Sequence, residues 1–134
     1  MIALGIDEAG RGAVLGPLVV AGVAVPEEAL DRLSLLGARD SKAVPRGRRR
    51  EILAGIARAA WVRTVVIPAR AVDEGNLTQL ELAAAAQLVR RAISESPEPA
   101  ARHAPDLAVV MDAPVGPRAI PGFVTELARR SGLP

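Results

Sequence analysis

The chain has 134 residues, half of them hydrophobic and only 1% aromatic, and it contains no cysteine and no tyrosine. That length predicts one domain over residues 1–134 around a small aliphatic core, while the missing thiol excludes disulfides, thiolate metal sites and a cysteine nucleophile. Lys42 is the sole lysine, and with a formal charge of only +2 the arginine bias does not by itself identify a nucleic-acid binder.

Ile2, Leu4 and Ile6 alternate with other residues, which predicts a strand over Met1–Asp7 with one face in a core. Asp7 and Glu8 stand where that strand runs out. Such a pair suits a hard divalent cation, because Mg²⁺ binds through one or two carboxylates together with substrate phosphates. Neighbouring strand residues point to opposite faces. Both carboxylates therefore serve one site only if the strand twists or one ligates through its main chain; otherwise the pair is a solvated strand end. Gly10 and Gly12 flank Arg11, and glycine permits positive φ and close approach of backbone to a ligand. The turn can thus offer peptide N–H groups and a guanidinium to a phosphate or a sugar hydroxyl, although a bare Gly-Arg-Gly is a common turn.

Val14–Val25 is apolar but for Gly16, Pro17 and Gly22, and reads as a second strand, antiparallel to the first because the connection is short. A short helix follows over Pro26–Leu36, with Leu30, Leu33 and Leu36 three apart. Asp40-Ser41-Lys42 lies after Gly37 in a turn-prone stretch and, taken alone, is an ordinary polar loop or helix cap. Arg46, Arg48, Arg49 and Arg50 open an amphipathic helix bearing Ile52, Leu53 and Ile56; they form its solvated side or a phosphate-facing patch. Val62, Val65, Val66 and Ile67 predict a third strand within Trp61–Ala69, with Pro68 at its end and Trp61 in the core or at its edge.

Asn76–Ile93 is helical in pattern, with Leu77, Leu80, Ala84 and Leu88 on one face and four consecutive alanines. Asp73 or Asn76 caps its start, and Ser94–Pro99 ends it. His103, the one histidine, lies in a proline-bounded loop without a partner for acid–base work. Leu107–Met111 reads as a central buried strand ending at Asp112. In an α/β sheet ligands gather beyond the carboxyl ends of strands. Asp112 therefore converges with Asp7 and Glu8 if the first and fourth strands are parallel neighbours, and the intervening helix supplies the crossover that such a pair needs. A lone Asp after a strand is otherwise a turn former. Ile120–Leu133 reads as a last helix with Phe123 and Leu127 toward the core. No stretch reaches the roughly 18 to 20 continuous apolar residues of a membrane span, and no basic segment precedes an apolar one at the N-terminus. A soluble cytoplasmic protein with no membrane partner is expected.

The run Gly5-Ile6-Asp7-Glu8-Ala9-Gly10-Arg11-Gly12, continuing into Gly16-Pro17 and an apolar strand, resembles the N-terminal signature of the ribonuclease HII family. Asp40-Ser41-Lys42, the Asp73-Glu74-Gly75-Asn76-Leu77 run with Glu81, and Asp112 are similar to further family positions. The resemblance implies an α/β, RNase H-like fold, a mixed β-sheet flanked by helices. It implies endonucleolytic cleavage of RNA in RNA/DNA hybrids, or at a ribonucleotide in duplex DNA, by two-metal hydrolysis with Mg²⁺ or Mn²⁺. Asp7, Glu8 and Asp112 would be the catalytic metal ligands, Gly10, Arg11 and Gly12 would read the 2′-hydroxyl, and Lys42 would anchor phosphate.

The family pattern also includes a later helix with a fourth carboxylate, and a tyrosine at the junction sugar. The chain is therefore expected to be C-terminally shortened, with Glu126 no substitute, and its exposed sheet edges to favour self-association. Two rivals stand beside the enzyme: a non-catalytic module that binds hybrid duplexes, and an RNase H-like structural domain whose carboxylates are remnants. Asp7, Glu8, Asp112 and the adjacent turn together favour the enzyme; the absent segment favours the rivals.

Overall fold

Alternation along the first strand, β1 (Ile2–Ala9), buries Ile2, Leu4 and Ile6 and leaves Gly5 and Asp7 exposed. The computed structural model describes residues 1–10, 16–97 and 106–133. Arg11, Gly12, Val14 and His103 lie outside these described residues. β2 (Leu18–Pro26) runs antiparallel to β1, from Pro26 opposite Ile2 to Val19 opposite Ala9. β3 (Trp61–Ile67) is antiparallel to β2. β4 (Leu107–Met111) is parallel to β1, with Leu107 beside Ile2 and Met111 beside Ile6. The sheet is the mixed one expected, in the order β3-β2-β1-β4.

Two strand boundaries and the position of one strand differ from the sequence reading. β1 continues past Asp7 because Asp7, Glu8 and Ala9 still pair with Ala21, Val20 and Val19. The ladder of β2 is first joined at Leu18, since Gly16 takes φ +109° and Pro17 has no amide hydrogen to give. β4 is an edge strand among the described residues, not a central one, and Val110 is 64% exposed. An unbroken apolar run fits a strand buried on both faces, but here only the Leu107 end is fully covered.

The helices assemble mainly on one side. α4 (Leu77–Glu95) begins where the Asn76 side chain accepts a hydrogen bond from the Gln79 amide at 3.1 Å, which settles Asn76 over Asp73 as the cap. Leu82, Ala85, Leu88, Val89 and Ala92 of α4 are buried against the Leu4, Leu18 and Val20 face of the sheet. Gly22 makes the close approach possible, because a Cβ there would lie 3.4 Å from Leu88 Cδ2. α5 (Ile120–Ser131) packs on α4 with Phe123 and Leu127 buried, and Gly132 closes it in the left-handed conformation. Trp61 is buried at the edge of this core, as expected.

Smaller helices fill the connections. α1 (Leu30–Leu35) follows a 3-10 turn, and of the leucines spaced three apart Leu30 and Leu36 are exposed, so that spacing does not mark a core face. α2 (Arg49–Ala59) packs on β3, and Ile52 lies against Gly37 just beyond α1. α3 (Ala69–Glu74), where the sequence reading placed no helix, starts directly after Pro68, whose fixed φ suits a helix entry. No helix among the described residues is long and apolar enough to cross a membrane.

Candidate active site

The parallel register of β1 and β4 determines the centre of the site. Ile6 and Met111 are the last paired residues, so Asp7 and Asp112 come next on neighbouring strands, at the same end of the sheet. Both line a shallow depression of about 350 Å³ together with Gly5, Ile6, Ala21, Val23, Val110 and Met111. The depression lies on the sheet face opposite α4. Asp7 is exposed, and its Oδ1 accepts the Glu8 backbone N–H at 2.9 Å, which orients the carboxylate at the strand end.

Glu8 does not line this depression. Strand alternation places it on the side of Leu4 and Ile6, and it is partly buried. Among the described residues, no three His, Asp or Glu side chains are gathered closely enough to hold a metal ion together. Asp7 and Asp112 are brought together; Glu8 is beside them in the chain but across the sheet plane. Two carboxylates lining one depression are the donor type that a hard cation takes, with several waters kept when few carboxylates bind it.

The turn after β1 is forced by Gly10, at φ +96°, where a Cβ would fall 2.5 Å from the Pro17 carbonyl oxygen. The two arms of the Gly10–Gly16 connection are thus too close for any side chain at this position. Lys42 is exposed in a 3-10 turn over Ser41–Ala43, and its backbone N–H donates to Asp40 Oδ1 at 3.1 Å. It is not among the residues lining the depression.

Two other carboxylates have different fates. Glu126 accepts hydrogen bonds from Arg129 and Arg130, which hold it well below the usual range, at about 2; it does not line the depression. Glu81, on α4, is 1% exposed inside the core layer. The sequence reading overlooked the small apolar floor of the depression, Gly5, Ala21, Val23 and Val110. The signal was present, since these residues alternate with the buried ones along β1, β2 and β4.

This sheet order, with α4 crossing between parallel β1 and β4, defines an α/β, RNase H-like fold. Residues 4–103 match the description of the ribonuclease HII family, and the chain belongs to that family. The chain is 41% identical over 99 residues to ribonuclease HII of Methanococcus maripaludis, a match covering 71% of this chain and 41% of that protein. It is 44% identical over 97 residues to ribonuclease HII of Methanothermobacter thermautotrophicus, covering 69% and 47%. Ribonuclease HII from Archaeoglobus fulgidus, solved in complex with PCNA, superposes with a TM-score of 0.75 at 31% identity over 99% of this chain and 60% of that one. The matches thus span less than half the length of those two relatives. The family match contains Asp7, Glu8, Gly10 to Gly12 and Lys42 but stops short of Asp112, which owes its place to the register of β4.

Proposed function

We propose that this chain acts as one RNase H-like domain that hydrolyses RNA within RNA/DNA hybrids, or at a ribonucleotide embedded in duplex DNA. The observation that carries this reading is the level placement of Asp7 on β1 and Asp112 just past β4, both lining one depression. These two carboxylates would hold Mg²⁺ or Mn²⁺, with Glu8, their neighbour in the chain, the third ligand that the family resemblance implies. A cation held there would supply Lewis-acid polarisation of the phosphodiester and activation of a water. The backbone at Gly10, with Arg11 and Gly12, recognises the 2′-hydroxyl that separates RNA from DNA. Lys42 holds a neighbouring phosphate as a point charge.

The position of Glu8 favours a second reading, a module that binds hybrid duplexes without turnover. Cleavage of a labelled duplex containing one ribonucleotide, with Mg²⁺ or Mn²⁺, separates the two. Metal-dependent cutting that disappears in Asp7→Asn supports the enzyme. Hybrid binding with no cutting by the unaltered chain supports the module.

We also propose that the edge of β4, unpaired among the described residues, all apolar from Leu107 to Met111 and carrying exposed Val110, pairs with other copies at high concentration. Light scattering that reports only monomer at the highest attainable concentration would remove this partner.

A further inference from the structure

Among the described residues, five arginines sit in ion pairs with carboxylates, and others, including the scattered Arg32, Arg58 and Arg118, do not. Arg63 and Arg91 are tied to Glu95, Arg70 to Glu74, and Arg129 and Arg130 to Glu126. By contrast, Arg39, Lys42, Arg46, Arg48 and Arg50 are all exposed, and among the described residues none has a carboxylate partner. Between Arg39 and Glu51 there are six cations and two carboxylates, a net charge of +4, whereas the whole chain carries +2 and so the remainder −2. One carboxylate of the stretch, Asp40, is occupied with the Lys42 backbone amide. Positive charge is therefore concentrated in one short segment instead of being neutralised locally.

The placement of that charge is unfavourable for the isolated fold. Arg46 and Arg48 form a 3-10 turn leading into α2, Arg49 and Arg50 occupy its first turn, and no side chain caps it. Cations at a helix N-terminus oppose the helix dipole. An anion beside them removes both penalties. α2 packs on β3 and delivers the chain to Trp61, which lies level with Ala24. The basic residues lie at the opposite end of this 11-residue helix, about 16 Å away.

We propose that Arg46, Arg48 and Arg50 form a second contact for the substrate duplex, gripping the phosphate backbone away from the nucleotide at Asp7 and Asp112. This rests on the duplex-binding reading above. Such a contact is blind to sequence and to the sugar, so it adds affinity and salt dependence but no preference for RNA.

The test compares the full chain with the Arg46→Gln, Arg48→Gln, Arg50→Gln triple variant by fluorescence anisotropy. The probes are a hybrid and an all-DNA duplex of about three helical turns, roughly 30 base pairs, titrated without divalent metal between about 50 and 200 mM salt. The expected result is a plot of log affinity against log salt that is shallower by about 2 to 3 in the variant, equally for both duplexes. Single substitutions, each lowering the slope by about 0.9, serve if the triple variant does not fold. An unchanged slope, a loss confined to the hybrid, or no duplex binding by the unaltered chain overturns the proposal. The two readings fail separately. A shallower slope without hybrid preference or cleavage in the unaltered chain leaves the patch and removes the ribonuclease; cleavage with an unchanged slope does the reverse.

Discussion

Asp7 and Asp112 stand one residue beyond the Ile6–Met111 pair, on strands that run the same way. Two carboxylates of like charge at one end of the sheet repel, a cost that a shared cation removes. Two outcomes are expected. In metal-free buffer, Asp7→Asn and Asp112→Asn each raise the thermal midpoint slightly. In Mn²⁺ titration calorimetry each weakens binding about tenfold or more. The double variant loses much less than the product of the two single losses, because both side chains serve one ion. Strictly multiplicative losses would mean two independent sites and would end the shared-cation reading.

Gly10 sets the turn that leaves β1, and Gly10→Ala tests how rigidly. Its φ of +96° disfavours any side chain, and the new Cβ would meet the Pro17 carbonyl oxygen at 2.5 Å. Backbone strain of this kind costs about 1–3 kcal/mol, so the urea midpoint is expected to fall accordingly. The same change displaces the backbone beside the carboxylates, so cleavage is expected to fall further than stability alone explains at temperatures where the variant is folded. Equal urea midpoints for the variant and the unaltered chain would show that the turn relaxes freely.

How much of this was legible in the sequence depended on what each pattern encodes. Ile2, Leu4 and Ile6 reported a half-buried strand, and the long periodic helix from Leu77 reported a crossover. Together they allowed a parallel β1–β4 pair, the condition on which Asp112 meets Asp7, and the register fulfils that condition. A period of two says which face is buried but nothing about which neighbours a strand has, so the edge position of β4 did not follow from Leu107–Met111. α3 has six residues and buries none of them fully, leaving no periodicity to read. Leu30, Leu33 and Leu36 recur at helical spacing yet Leu30 and Leu36 remain exposed, because pattern without a facing surface does not bury. The strand alternation that would separate Glu8 from Asp7 was readable from the start; the family resemblance set all three carboxylates into one site.

Leu88 is where α4 meets the sheet, fully buried and in contact range of the space left by Gly22. Truncating it removes a core side chain from a closely packed layer, and Leu88→Ala is expected to destabilise the chain by about 2–5 kcal/mol. Gly22→Ala presses on the same leucine from the other side, with the added Cβ 3.4 Å from Leu88 Cδ2. In the double variant the small-for-large exchange relieves that crowding, so the combined loss in denaturant unfolding is expected to be smaller than the two single losses together. Simple additivity would show that α4 moves away instead of repacking.

Glu126 tests the α4–α5 contact through pH. Arg129 and then Arg130 lower its pKa from the ordinary 4.5 to about 2. Arg130 also donates to the Gln79 side chain at 3.1 Å, and its carbonyl accepts from Arg90 at 2.6 Å, so the cluster joins both helices. A carboxyl whose folded pKa is depressed contributes stability that is present above its unfolded value and is lost as pH falls through the folded one. Stability of the unaltered chain should therefore drop between pH 4.5 and about 2, and Glu126→Gln should flatten that part of the drop. Because the carboxylate is solvent-accessible, the difference should shrink at about 1 M salt. At neutral pH the same variant should retain metal-dependent cleavage, since Glu126 is occupied by two arginines and lies outside the depression that Asp7 and Asp112 line. Superimposable acid unfolding curves would show that the pair contributes nothing to folding, and lost cleavage would make Glu126 part of the site after all.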